Sequence, residues 1–197
     1  MTTPGEQLPV TVAEYDGEAA RDHLDVVRDL YAEVYAEPPY REGPEDVAGF
    51  AADWPRRVGQ PGFRLVLTHA GAEPGGFAFG HQLVPGTRWW DGALEPLPQE
   101  LTHERPGRTF AVIELAVRNP YRRQGLGRTL HDSLLHGRSE ERVTLLVRPE
   151  AEAARRLYDN LGYRAVGRIR PGEDTPRYNA LLLELHHRGT PRTEPTA

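Results

Sequence analysis

The strongest constraint on this chain is one junction. Phe110 to Val117 (FAVIELAV) is a dense run of strand formers, while Leu126, Leu130, Leu134 and Leu135 recur at helical spacing. The segment therefore reads strand, turn, helix, with VRNPYRRQGLGRTL (Val117 to Leu130) spanning the turn. Gly125 and Gly127 lack a Cβ, so their amides can approach a ligand closely, and a helix opening there presents unpaired N–H donors and partial positive charge. Arg122, Arg123 and Arg128 add permanent cations whose planar forks match phosphate oxygens. The turn reads as a phosphate cradle. A P-loop would need Gly-Lys-Ser/Thr, and a dinucleotide fingerprint would need glycine where Leu130 stands. The plain alternative is an ordinary strand-to-helix turn carrying solvated arginines.

Two absences exclude whole classes of chemistry. The chain has no cysteine, which removes disulfides, thiol nucleophiles and Cys-ligated metals. It also has no lysine: all 24 basic residues are arginine, so Schiff-base chemistry and a phosphate-binding lysine are impossible. None of the eight histidines makes a metal-ligand spacing, and the pair His186-His187 stands near the end, so no metal is expected. No window approaches the roughly 18 apolar residues of a membrane span, and MTTPGEQLPV lacks signal-peptide character, so a cytoplasmic protein without a membrane partner is expected. The Arg-, Ala-, Gly- and Pro-heavy usage looks bacterial.

Charge is unevenly spread. Residues 1–108 carry 18 acids and 9 arginines, or −9; residues 109–197 carry 11 acids and 15 arginines, or +4. The net −5 argues against a nucleic-acid partner. A basic second half suits a polyanionic cofactor and an acidic first half suits a cationic acceptor, although an unevenly charged surface without ligand meaning fits the same figures.

In order, residues 1–8 form a loose start and Pro9–Tyr15 a short strand. Asp16–Ala36 reads as one helix closed by Glu37-Pro38-Pro39, and Pro44–Arg57 as a second. Phe63–His69 and Gly76–Val84 read as a hairpin. Residues 85–108 are irregular yet contain Trp89 and Trp90; a loop of that length is either a functional lid or a packed surface excursion. After the strand and helix of the central junction, the latter running to His136, come a strand at Arg142–Val147, a helix at Glu150–Leu161, strands at Tyr163–Ile169 and Tyr178–Leu185, and a polar tail at 188–197.

Arg122, two residues, Gly125, one residue, Gly127, directly after a strand, resembles the acyl-CoA loop (Gln/Arg-x-x-Gly-x-Gly/Ala) of the GNAT superfamily of N-acetyltransferases. A second segment, AARRLYDNLGYRAVG (Ala153 to Gly167), resembles that family's Asn-x-x-Ala-x-x-x-Tyr-x-x-x-Gly-Phe, with Ala154, Tyr158, Gly162 and Tyr163 in register and Ala151 where the family has Asn. The resemblance implies an α/β fold over residues 9–187: a mixed, mostly antiparallel sheet of about seven strands flanked by about four helices. It implies acetyl-CoA as acyl donor, held by Arg122, Arg123, Gln124, Gly125, Leu126, Gly127, Arg128 and Ala154, with backbone N–H groups of Leu115 or Val117 receiving the carbonyl oxygen.

Acetyl transfer from a thioester to an amine needs a neutral nucleophile, oxyanion stabilisation and a proton for the departing thiolate. The resemblance points to Tyr158 as proton donor; periodicity alone would make it a core tyrosine. Glu114 is the only charge in its apolar run, so it must pair, reach solvent or bind something. Partial burial would raise its pKa toward that of a useful base, while pairing with an arginine would make it structural. By resemblance the acceptor side takes in Tyr40, Glu42, Trp89, Trp90 and Asp91, where rings and acids suit a small cationic amine in preference to an acidic substrate. The expected activity is direct acetylation of a primary amine; a non-catalytic acyl-CoA sensor of the same fold is the rival, and a nucleotide-binding regulator a third reading. Monomer and homodimer both remain open.

Overall fold

The computed structural model describes residues 9–185; the expected loose start at 1–8, His186-His187 and the tail at 188–197 lie outside the described residues. Seven strands form one sheet: β1 (Val10–Asp16), β2 (Arg64–Ala70), β3 (Glu73–Gln82), β4 (Thr109–Val117), β5 (Arg142–Val147), β6 (Arg164–Ile169) and β7 (Tyr178–Glu184), in the order β1-β2-β3-β4-β5-β7-β6. Every neighbouring pair is antiparallel except β4 with β5. The helices are α1 (Leu24–Tyr35), α2 (Pro44–Val58), the single turn α3 (Gln99–Thr102), α4 (Leu126–Leu135) and α5 (Glu152–Leu161).

Alternation along the strands divides the core. Leu65, Leu67, Phe77 and Phe79 face α1 and α2, whose buried stripe of Val27, Leu30, Tyr31, Val34, Tyr35, Phe50 and Trp54 covers them. Val66, Ala78, Phe110 and Val112 face the other way and meet Leu130 and Leu134 of α4 and Tyr158 of α5.

One sequence expectation is corrected here. The helix expected over Asp16–Ala36 begins later: β1 runs through Asp16, whose carboxylate accepts from the N–H groups of Glu18 at 3.1 Å and Ala19 at 2.9 Å. A short 3-10 turn at Ala19–His23 follows before α1. This local bond offers the backbone an alternative to continuing helix. The 85–108 segment, open between a lid and a packed surface excursion, is found packed on the sheet. It holds α3 and bridges to the sheet edge, with Leu94 N–H donating to Arg168 at 2.9 Å and Arg170 N–H to Gly92 at 2.9 Å. Trp90 packs on Ile169 and Ala180 and donates through Nε1 to Glu104 at 3.0 Å. Beneath it lies a buried polar cluster. Arg142 pairs with Glu104 at 2.9 Å and donates to Thr109 Oγ1 at 2.8 Å, and Thr109 donates to Glu104 at 2.7 Å.

The central strand carries the feature that positions the site. β4 pairs with β3 along its length but with β5 only over Thr109–Val112, so the edge of β4 toward β5 is unpaired beyond Val112. Within β4, Phe79 faces Glu114 while Gly80 faces Val112, which leaves Ile113 as the extra residue of a bulge.

Candidate functional site

The bulge decides where Glu114 goes. Strict alternation would set it on the face of Phe110 and Val112, in the core under α4; the extra residue inverts parity, so Ala116 joins the α1–α2 core while Leu115 and Val117 turn to the α4 side. Glu114 is thereby delivered to Tyr35, whose hydroxyl donates to its Oε2 at 2.5 Å. It lines a cavity of about 630 Å³ at the divergence of β4 and β5, shared with Tyr40, Glu42, Trp89, Ala154 and Tyr158.

The carboxyl of Glu114 is pushed up from 4.5 to about 7. Burial is the main cause and Glu42 adds to it, while the Arg57 charge and the Tyr35 hydrogen bond oppose. Glu114 keeps intermediate exposure because it borders the cavity, yet it lies deep in the protein volume, which is why desolvation prevails. Burial also raises Tyr158, which therefore holds its proton at neutral pH. The Tyr158 ring meets Tyr163 edge-on at 5.4 Å, and its hydroxyl has no hydrogen-bond partner among the described residues. A free O–H in a cavity is placed to donate a proton.

The strand edge supplies donors. Arg118 N–H bonds to Gly75 on β3 at 3.0 Å, so by alternation the N–H groups of Leu115 and Val117 face away from β3, into the gap left by β5. The Val117 carbonyl on that edge accepts from Arg122 Nε at 2.8 Å.

At the head of α4, Gly125 takes a left-handed conformation (φ 84°), and a Cβ there would meet nothing within 4 Å. The first intrahelical bond is Thr129 N–H to Gly125 at 3.0 Å, so the amides of Leu126, Gly127 and Arg128 have no carbonyl one turn back. Arg123 is exposed, has φ 61°, and makes no hydrogen bond or ion pair among the described residues. Such backbone strain costs on the order of 1–3 kcal/mol and is typical of ligand-holding turns. These features fit a pyrophosphate.

Other expected residues stand differently. Arg122 is committed to Glu37 at 2.5 Å and to Val117, so it ties the loop after α1 to the turn. Arg128 donates to the Asn160 carbonyl at 3.2 Å, and Gln124 to the Pro120 carbonyl at 2.8 Å. Gly127 is small because α5 is near: a Cβ would fall 3.1 Å from Leu157 Cδ2. Trp90, expected beside the acceptor, is buried in the loop–sheet contact, and Asp91 is an exposed partner of Arg88 at 3.0 Å; neither lines the cavity. The expected acidic acceptor face is not found either. Glu42 is matched by the Tyr31 hydroxyl, which donates to it, and by Arg148 at 3.7 Å, while Arg56, Arg57 and Arg88 also line the cavity. Tyr31, Tyr35 and these arginines were not foreseen. Tyr31 and Tyr35 lie on the α1 core stripe, where periodicity cannot separate a packing tyrosine from one facing a cavity.

The fold, with the family match that follows, makes this an acetyl-CoA-dependent N-acetyltransferase. The chain belongs to the Acetyltransferase (GNAT) family, whose family model matches residues 25–163. Among solved structures it is similar to the ribosomal-protein-S18-alanine N-acetyltransferase of Escherichia coli (19% identity, TM-score 0.61, 92% of this chain and 97% of that one). It is similar also to the PaiA N-acetyltransferase of Thermoplasma acidophilum in complex with coenzyme A (9% identity, TM-score 0.57, 90% and 100%). An acetyltransferase of Thermus thermophilus (17% identity, TM-score 0.57, 91% and 100%) is a third. At these identities the likeness shows the fold. No curated protein matches the chain closely enough in sequence to count as a relative. Among the described residues no helix is long and apolar enough to cross a membrane.

Proposed function

We propose that the protein acetylates the primary amine of a small molecule directly, with Glu114 as proton acceptor and Tyr158 as proton donor. The observation that carries this reading is the meeting of those two groups on one cavity where β4 and β5 part. Acetyl-CoA supplies an activated acetyl group on a thiol leaving group. The turn amides of Gly125, Leu126, Gly127 and Arg128, with the free guanidinium of Arg123, hold its pyrophosphate. The Leu115 and Val117 N–H groups, turned to the unpaired edge of β4, would receive the carbonyl oxygen as it gains charge. Glu114, with a pKa of about 7, is half ionised near neutrality and takes the proton of the ammonium, directly or through water. Tyr158 returns a proton to the departing thiolate.

A small acceptor is favoured because the 85–108 segment, pinned to β6, adds Trp89 to the lining of a cavity of about 630 Å³. The test is release of free thiol from acetyl-CoA with two panels, small primary amines and short peptides with free N-termini. Small amines are expected to give the higher kcat/KM; a peptide as best acceptor would overturn the small-molecule assignment while leaving acetyl transfer in place.

A further inference from the structure

The cavity that holds Glu114 is also lined by the C-terminal end of α2, where two arginines share one ion-pair partner. Arg56 and Arg57 both line the cavity and both pair with one carboxylate, Asp53. Arg56 takes both oxygens, at 2.6 Å each. Arg57 Nε lies 2.9 Å from Oδ2 in an ion pair, yet it is buried and off the hydrogen-bond direction, so Nε has no hydrogen-bond partner among the described residues. Of the other arginines on the cavity, Arg88 pairs with Asp91 and Arg148 with Glu42. Glu114 accepts from the Tyr35 hydroxyl and feels the Arg57 charge, so Arg57 gains a second acid only when Glu114 is ionised, and an ammonium at Glu114 would take that acid up. His81, also on the cavity, is held neutral by its burial and accompanies the arginines without adding charge.

Arg57 is also held in place. Its guanidinium sits over the rings of Phe50 at 5.4 Å and Phe79 at 5.7 Å, and its side chain is only 22% exposed. A fork fixed by aromatic faces loses little freedom when it binds a planar anion, and a partly desolvated site strengthens that pairing.

We propose that the acceptor carries a carboxylate besides its amine, the carboxylate seated on Arg57 and Arg56 and the amine turned inward to Glu114. The acceptor class is then the amino acids and related amino-carboxylates. This rests on the acetyl-transfer reading and narrows it.

The test uses the full chain with saturating acetyl-CoA and matched acceptor pairs, each amino acid beside its own amide. A charge-assisted hydrogen bond predicts that the acid exceeds the amide in kcat/KM by about 10- to 100-fold, chiefly through KM. In Arg57→Gln that ratio falls toward 1, and Arg57→Lys, which keeps the charge but not the fork, lies between. Arg56→Gln, at a more exposed position, gives the same narrowing if loss of the Phe50 and Phe79 contacts unfolds the first variant. A wild-type ratio at or below 1, or a ratio undiminished in the folded arginine variants, overturns the proposal. Calorimetry of each acid and amide against the protein with coenzyme A separates this inference from the reaction. If no acceptor turns over, the acetyl-transfer reading fails, and equal binding of acid and amide then overturns this proposal as well, whereas tighter binding of the acid sustains it.

Discussion

Replacing Glu114 by Gln tests the catalytic assignment and its physical cause together. The folded pKa is raised from 4.5 to about 7, chiefly by burial. Between those values the folded state holds a proton that the unfolded state has released, so stability falls as pH rises through the window. At about 1.4 kcal/mol per unit, ionising Glu114 in the folded protein costs about 3 kcal/mol, present in full above pH ~7 and absent below pH ~4.5. Glutamine stays neutral throughout, and its amide oxygen can still accept from Tyr35. Glu114→Gln should therefore match the wild type at about pH 4 and gain up to about 3 kcal/mol on it by about pH 8.5, read as a shift in denaturant midpoint at constant m. Activity should move the opposite way. The wild-type kcat profile should show an acidic limb with an apparent pKa near 7, and the variant should lose that limb along with about 10²- to 10⁴-fold in rate. A stability difference that does not change with pH would refute the desolvation argument. An acidic limb that survives the substitution at the same pKa would clear Glu114 of the base role.

Tyr158→Phe should keep acetyl-CoA affinity and lower kcat by about 10²- to 10⁴-fold, because its hydroxyl donates to no described residue and its loss leaves the fold intact; calorimetry beside steady-state kinetics checks both. Gly125→Asp should abolish acetyl-CoA binding, since it puts a β-carbon at φ 84° and a negative charge in the open space before the free amides. Arg123→Gln should weaken binding less and flatten its salt dependence, both measured by calorimetry. Glu104→Ala should destabilise the fold by about 3–5 kcal/mol in urea titration, because it strands Arg142 with a buried charge beneath the 85–108 segment.

What could be read in the chain before the structure was what local chemistry decides. The apolar run at Phe110–Val117, the glycine turn and the Ala154–Tyr158 stripe each follow from residue type and spacing within a short window, and the sheet of seven strands assembles around them. The bulge at Ile113 could not be read, because nothing in FAVIELAV marks which residue is skipped; it is set by how β3 and β4 pair. Yet that one residue is what turns Glu114 from a leucine core to Tyr35 and the cavity. Gly127 shows the same limit from the other side: a glycine read as clearance for a ligand is clearance for Leu157.

Charge is where reasoning from sequence carried least, and the reason is general. The −9 of residues 1–108 is a sum, whereas a ligand meets only groups that the fold turns inward and leaves unmatched. Glu33, Glu37 and Glu42 are each spent on an arginine, namely Arg118, Arg122 and Arg148, all three from the basic second half. The asymmetry between the halves thus holds α1 and the loop after it against the turn after β4 and the end of β5. What remains at the end of α2 is the opposite sign, two guanidiniums that share Asp53 as their ion-pair partner. Charge reversal there should accordingly invert acceptor preference: Arg57→Glu, if folded, should lower the acid-to-amide ratio in kcat/KM below 1. A ratio that stayed above 1 would mean that the acceptor's carboxylate is read elsewhere in the cavity.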